Sequence, residues 1–127
     1  MNELAMGVNF PAVLLGTVLA FLAGWLWYGP LLFRRVWSEG SHGIAPPGRI
    51  PAGPMAAQLT GTFLMAWLVG ITARSDALAI AFLVILAIAV LIFAGGLMSQ
   101  KSGEAALVDG GYAVVMGALM IAAQGVL

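Results

Sequence analysis

The sequence predicts an all-α integral membrane protein whose four transmembrane helices form an up-down bundle, with a short interfacial helix after the first. Hydrophobic residues make up 62% of the 127 residues and charged residues only 8%, a balance outside the range of soluble domains. The mean hydropathy of +1.06 is spread over four apolar runs, each about long enough to cross a hydrocarbon core of roughly 30 Å. We therefore expect residues 1–127 to form a single membrane domain.

The first span is predicted over residues 10–28, which carry no charge. Asn9 is a suitable N-cap. Pro11 lies in the first turn, where a backbone N–H would have no partner within the helix, so the lack of an N–H in proline costs no hydrogen bond. An aromatic belt typical of the headgroup interface ends the run, formed by Trp25, Trp27 and Tyr28. Because no small-residue cleavage pattern follows a short apolar core, we expect a retained helix and not a signal peptide.

The segment after the first span mixes apolar side chains with two cations, Arg34 and Arg35. This pattern is typical of a short helix in the membrane interface, with Phe33 and Trp37 buried and the arginines facing anionic headgroups. Residues 40–54 are rich in proline and glycine, which predicts an exposed loop.

Three further spans are predicted over residues 55–73, 77–98 and 105–127. Only three residues join the second span to the third, so these two must form an antiparallel hairpin. The third span is the most uniformly apolar, and we expect it to have much lipid contact. Ser75 or Asp76 is available as its N-cap.

The orientation follows from the cations near the span ends. The connections after the first and third spans carry four of them: Arg34, Arg35, Arg49 and Lys101. The opposite side carries only Arg74. This bias predicts that the Pro/Gly-rich loop 40–54 faces the cytoplasm and that both termini lie outside.

Small residues recur every four positions in the first span and form a helix-packing seam: Ala12, Gly16, Ala20 and Gly24. Such a seam lets another helix backbone approach closely. In a chain this rich in alanine and glycine the pattern also arises by chance, and both interpretations stay open. The second span has weaker series of the same kind, Ala57 with Gly61 and Ala66 with Gly70.

Asp109 is the one acidic residue inside a predicted span, about one turn from the cytoplasmic end. Since an unpaired carboxylate is unfavourable there, it needs water or a partner such as Arg34 or Arg35. It is either a protonatable transport site or, as we favour, a structural residue stabilised by the helix dipole.

Residues expected at the same depth in the membrane define a candidate polar cluster: Tyr28, Arg34, Arg35, Gln58, Asp109 and Tyr112. A shared depth does not imply mutual contact.

The composition argues against several classes of function. Five lysine and arginine residues, balanced by five acidic residues, supply no basic patch for nucleic acid. With no cysteine and one histidine, His42, haem and metal sites lack ligands, and we expect His42 to be a solvated loop residue. No catalytic constellation or phosphate loop stands out. We therefore expect no enzyme activity, no cofactor and no metal.

One distinctive pattern follows the first span: Trp27, Tyr28, Gly29, Pro30, Leu31, Leu32 and Phe33, then Trp37. With Asn9 before the first span and the pair Gly111 and Tyr112 in the last, the chain resembles a bacterial membrane family called domain of unknown function 1761. The resemblance covers essentially the whole chain and implies a four-span protein of the bacterial inner membrane. It brings no reaction, substrate or site residue with it. The chain departs from the family pattern in its longer Pro-rich loop and in Asp109.

The leading functional hypothesis is a noncatalytic membrane protein that acts by association, as a homo-oligomer or as an accessory subunit of a larger membrane complex. The small-residue seams favour it, and the partners would be membrane lipid and either a second copy or another membrane protein. The alternative is a small dimeric proton-coupled transporter that uses Asp109. A third hypothesis is a groove lined by aromatic and methionine residues that binds a lipid or cofactor.

Overall fold

A computed structural model describes residues 2–43 and 52–127, and every regular element in them is an α-helix. The helices are α1 (Asn2–Ala5), α2 (Phe10–Trp27), α3 (Arg34–Gly40), α4 (Ala52–Arg74), α5 (Leu78–Met98) and α6 (Gly103–Val126). Four of them, α2, α4, α5 and α6, are long and apolar enough to cross a membrane. The predicted class, an all-α membrane bundle, is confirmed. Arg49 and most of the predicted loop 40–54 lie outside the described residues.

Two of the long helices begin at side-chain caps. Asn9 caps α2, because its Oδ1 accepts a hydrogen bond of 3.1 Å from the backbone N–H of Ala12. Ser102 caps α6 in the same way, with 3.0 Å from the N–H of Ala105 to the serine Oγ. Each cap satisfies an N–H group that the first turn of a helix leaves without a partner.

The turn between α4 and α5 corrects the predicted cap of α5. The N-cap residue is Ala77, which makes no side-chain cap. Asp76 takes a left-handed φ of 52° to reverse the chain, and the N–H of Ala77 donates to the carbonyl of Thr72 at 2.8 Å. The Ser75 hydroxyl donates back to the carbonyl of Ile71. The Ser75 side chain therefore belongs to the end of α4, and neither Ser75 nor Asp76 is the N-cap of α5.

The helix α6 is the centre of the bundle and contacts α2, α3, α4 and α5. The buried share of its apolar window is 50%, against 17% for α5, so α5 is the more exposed of these two helices, and its lipid contact stays a prediction. Gly16 lies against Met120 and Gly24 against Tyr112, which makes α2 and α6 antiparallel. With the short turns on both sides of α5, successive spans alternate in direction.

The seam of α2 is where α6 packs. Ala12 and Ala20 are fully buried. A Cβ atom added to Gly16 would lie 3.2 Å from the Cα of Met120, and one added to Gly24 would lie 2.6 Å from the hydroxyl of Tyr112. The space beside Gly16 and Gly24 is therefore occupied by α6 of the same chain. The seam does not support contact with another protein.

At the opposite end of the bundle from the polar cluster, the short helix α1 ties the N-terminal residues to α4. The Arg74 guanidinium donates to the backbone carbonyls of Glu3 and Met6. The indole N–H of Trp67 donates to the carbonyl of Leu4 at 2.6 Å. The sequence did not predict α1, whose four residues are too few for a periodic pattern.

Candidate functional site

The aromatic pattern after α2 docks α3 onto α6. The indole N–H of Trp27 donates to the carbonyl of Val108 in α6 at 2.8 Å. Phe33 then folds back onto Trp27, with ring centroids 4.6 Å apart and a backbone hydrogen bond of 3.1 Å from the N–H of Phe33 to the Trp27 carbonyl. The residues that carry the family resemblance thus fix the position of α3.

The far end of α3 is joined to the start of α6. The N–H of Ser102 donates to the carbonyl of Gly40 at 2.8 Å, and a Cβ atom on Gly40 would overlap the Ser102 hydroxyl and crowd Ala105. A glycine is therefore needed at this approach. Nearby, the imidazole Nε2 of exposed His42 lies 2.9 Å from the carbonyl oxygen of Ser99, so this histidine is exposed, as predicted, but not free.

The carboxylate of Asp109 is held by two neighbours. Its Oδ2 lies 2.8 Å from the Nζ of Lys101, and its Oδ1 accepts a hydrogen bond of 2.5 Å from the Tyr28 hydroxyl. The side chains of Lys101 and Asp109 are 24% and 15% exposed, so the pair is largely removed from solvent. Its opposite charges neutralise each other in a place where a lone charge is strongly unfavourable.

The two arginines considered as partners of Asp109 do not pair with it. Arg35 lies outside the cluster, on the exposed face of α3, where its Nε is 3.1 Å from the Oε1 of Glu39. The observed partner, Lys101, was missing from the predicted cluster. Lys101 precedes α6 by two residues, and its side chain reaches Asp109 in the second turn of that helix. A sequence signal existed, since Lys101 is the cation nearest in sequence to Asp109.

Aromatic rings pack around this ion pair. The Tyr112 hydroxyl donates to the carbonyl of Ala20 at 2.5 Å, and its ring meets that of Tyr28 edge to face with centroids 5.5 Å apart. Tyr28 also packs edge to face against Trp37, at 5.7 Å. The Lys101 ammonium lies 5.4 Å from the Trp37 ring centroid, within reach of a cation–π interaction. Trp37 thus belongs to the cluster, although the sequence did not place it there.

A cavity of about 550 Å³ lies beside the cluster, between α2, α3, α4 and α6. Five aromatic side chains line it: Phe21, Trp25, Tyr28, Trp37 and Tyr112. Its polar lining includes Arg34, Gln58 and Asp109. The structure therefore brings every residue of the predicted cluster except Arg35 to one cavity.

The cavity is suited to noncovalent binding of an amphiphilic molecule. Its volume lies in the range of about 300–1,000 Å³ that is common for ligand pockets, and apolar walls with a few polar groups are typical of them. It reaches the surface at Trp25 and Arg34, which are exposed. Within the described part of the chain, no three histidine or acidic side chains are grouped so that they could hold a metal ion.

Comparison with known proteins gives one result. A family model described as "Protein of unknown function (DUF1761)" matches residues 11–125. No curated protein and no solved structure gives a significant match. The matched residues include the pattern that docks α3, the cavity lining and, except for Phe10 and Val126, the four helices that are long and apolar enough to cross a membrane. The chain therefore belongs to the DUF1761 family of proteins of unknown function.

Proposed function

We propose that this protein is a noncatalytic, multi-pass protein of the bacterial inner membrane that acts by association, as a homo-oligomer or as an accessory subunit of a larger membrane complex. The observation that supports the proposal is a face of α4 on which no other described helix packs. We call this face the α4 ridge, formed by Gly53, Ala57 and Gly61. All three residues are exposed and recur every four positions, so they lie on one side of the helix.

The two halves of α4 use their small residues differently. In the second half, Ala66 is 1% exposed, and a Cβ atom on Gly70 would lie 2.8 Å from the Cγ2 of Val13 in α2. In the first half, Ala57 is exposed, and a Cβ atom on Gly61 would meet no atom within 4 Å. Among the described residues, other helices pack against Ala66 and Gly70 and leave the α4 ridge open.

An open ridge of small residues favours a partner helix in lipid. Helices associate in a bilayer mainly through close packing, and glycine and alanine let two backbones approach. The seam of α2 cannot serve this purpose because α6 fills it. We infer that the α4 ridge takes a helix of a second copy or of another membrane protein, with membrane lipid around the rest of the bundle and no role for nucleic acid.

The proposed orientation places the cavity at the cytoplasmic end. Arg34, Arg35 and Lys101 lie at this end of the described bundle, and Arg74 lies at the other. The positive-inside rule then favours a cytoplasmic position for the end that carries α3. Both termini would lie outside, since α2 and α6 run from and to the opposite end.

Disulfide crosslinking tests the homo-oligomer. The chain has no cysteine, so Ala57→Cys introduces a single thiol in the α4 ridge. On mild oxidation in native membranes we expect a covalent dimer, because paired ridges bring the two thiols together. Val90→Cys, on the exposed face of α5, should stay monomeric. In the Ala57→Cys background, Gly61→Leu should abolish the dimer, whereas Gly95→Leu should not, because Gly95 also faces open space.

The accessory subunit is tested with the same pair of leucine variants. If the partner is another protein, purification in mild detergent should yield it at a fixed stoichiometry. Gly61→Leu should lose it and Gly95→Leu should keep it. Absence of both a ridge-dependent crosslink and a ridge-dependent partner would contradict the association proposal.

The alternative proposal, a dimeric proton-coupled transporter, has one observation in its favour: Asp109 lines the cavity. A carrier of this kind needs a carboxylate that gains and loses a proton as substrate moves. Here both carboxylate oxygens are engaged, by Lys101 and by Tyr28. This arrangement supports a structural role for Asp109 and makes association the better supported proposal.

A further inference from the structure

We propose that the cavity between α2, α3, α4 and α6 binds one anionic phospholipid, with its phosphate at Arg34 and one acyl chain along Phe21 and Trp25. The charges around the cavity, the character of its walls and the depth of its polar groups support this assignment. None of the three residues of the α4 ridge lines the cavity.

The charge of the cavity favours an anion. Lys101 is paired with Asp109, and Arg35 is paired with Glu39 outside the cavity. Arg34 lines the cavity, is exposed, and has no acidic partner among the described residues. Because Lys101, outside the lining, neutralises the lining residue Asp109, the positive charge of Arg34 is left unbalanced at the cavity. A guanidinium group presents paired N–H donors that match a phosphate group.

The walls favour a lipid over a water-soluble anion. Phe21 lies six residues before the end of α2, about 9 Å deeper at a rise of 1.5 Å per residue. Together with Trp25 it forms an apolar wall that a free phosphate ion would leave uncovered. Trp25 is 62% exposed on the outer surface of α2, so the cavity is open towards the surrounding lipid. A phospholipid whose acyl chain enters there buries apolar surface while its headgroup stays near Arg34.

A second polar group, at greater depth, favours a glycerophospholipid over a fatty acid. Gln58 lines the cavity from α4, six residues beyond the start of that helix. Its amide Nε2 lies 3.5 Å from the Thr62 hydroxyl oxygen, which is long for a hydrogen bond. The amide therefore retains the capacity to donate a stronger hydrogen bond to a ligand. A phospholipid offers a phosphate for Arg34 and an ester carbonyl for Gln58, whereas a fatty acid has a single polar group.

The test measures lipid binding to the purified full-length protein by native mass spectrometry, with phosphatidylglycerol and phosphatidylcholine as probes. The parent protein should prefer phosphatidylglycerol. Arg34→Gln should weaken phosphatidylglycerol binding about fivefold, the effect of one cation at a membrane surface. Arg35→Gln is the matched control, because it removes an adjacent cation outside the cavity, and it should change binding little. Met55→Trp, which fills the cavity from α4, should weaken binding of both lipids.

Three results would overturn the assignment. Equal losses for Arg34→Gln and Arg35→Gln would show attraction by surface charge alone. Displacement of phosphatidylglycerol by oleate at equal concentration would show that a single-chain acid suffices. Unchanged binding in Met55→Trp would place the lipid elsewhere. Arg34→Lys keeps the positive charge and should keep most of the preference for phosphatidylglycerol. Thermal unfolding of Arg34→Gln and Arg34→Lys in neutral detergent should match that of the parent, which separates a loss of binding from a loss of fold.

Discussion

At the scale of single residues, the main feature is the engagement of Asp109 by Lys101 and Tyr28. A carboxylate in an apolar helix is stable only if its charge is compensated, and here a cation and a hydroxyl compensate it. The pair Arg35–Glu39, by contrast, has side chains that are 87% and 68% exposed. Water screens such a pair, so its contribution to stability is small. The two pairs therefore offer a comparison within one end of the molecule.

A double-mutant cycle tests the ion pair. Asp109→Asn and Lys101→Gln should each destabilise the protein by about 2 kcal/mol, between the effects typical of surface and of fully buried pairs. The double variant should recover much of this loss, because no unpaired charge remains. Reversible unfolding in mild detergent gives the free energies, and Arg35→Gln is the control, with an expected change of about 0–1 kcal/mol.

The same cycle separates the structural role from the transport role of Asp109. If Asp109→Asn is as stable as the parent, the ion pair is not structural. A carrier would then be supported if this variant also lost proton-coupled uptake in reconstituted vesicles. Loss of stability that the double variant repairs would instead support the structural role.

At the scale of the helices, close packing of α2 on α6 depends on residues without side chains. Gly16 meets the backbone of Met120, so an added side chain has no room unless the two helices separate. The neighbouring face of α2 is also occupied, because fully buried Val13 packs against Gly70 of α4. Both faces of α2 are therefore sensitive to added volume, and a control substitution must lie on another surface.

Gly16→Leu should destabilise the bundle by about 1–3 kcal/mol or prevent folding, as overpacking of a close contact does. Gly95→Leu is the matched control: it makes the same chemical change within a helix, at an exposed glycine with no atom within 4 Å of the added Cβ. Its unfolding should resemble that of the parent. Unfolding in mild detergent measures both, and equal stability of the two variants would show that the α2–α6 contact tolerates a side chain at Gly16.

At the scale of the whole molecule, the helices alternate in direction and the charged side chains lie at the two ends. One end carries α3, the cavity and the Lys101–Asp109 pair, and the other carries α1 and Arg74. The 21 residues of α5 separate these ends by about 31 Å at 1.5 Å per residue. This length matches the hydrocarbon core of a bilayer, so the residues that flank α5 report the two sides of the membrane.

Labelling of single cysteines tests the proposed orientation. Ser75 and Ser99 flank α5, are both exposed, and each donates its hydroxyl to a carbonyl four residues earlier at 2.9 Å. Cysteine is similar in size to serine, so Ser75→Cys and Ser99→Cys are matched probes. In intact cells an impermeant thiol reagent should label Ser75→Cys and not Ser99→Cys, and in opened membranes it should label both. The reverse pattern in intact cells would invert the orientation.

The sequence alone was sufficient for the number of spans, the class of fold and the cap at Asn9. These features depend on local properties: a run of about 20 apolar residues in lipid must satisfy its own backbone groups, and a helix does so within the segment. The prediction also brought together five residues of the cavity lining, Tyr28, Arg34, Gln58, Asp109 and Tyr112. It did so from their expected depth in the membrane, because residues near the same end of several spans lie at similar depths.

Only the tertiary structure decided which residues touch. The partner of Asp109 is Lys101 and not an arginine, the seam around Gly16 is filled by α6, and the α4 ridge around Gly61 stays open. Each of these outcomes depends on how the helices rotate about their axes. Because the spans are apolar on all sides, no polar face marks the side that turns inwards. The rotation of each helix is then set by the close packing of small and large side chains. These contacts exist only in the assembled bundle, so the sequence alone does not reveal them.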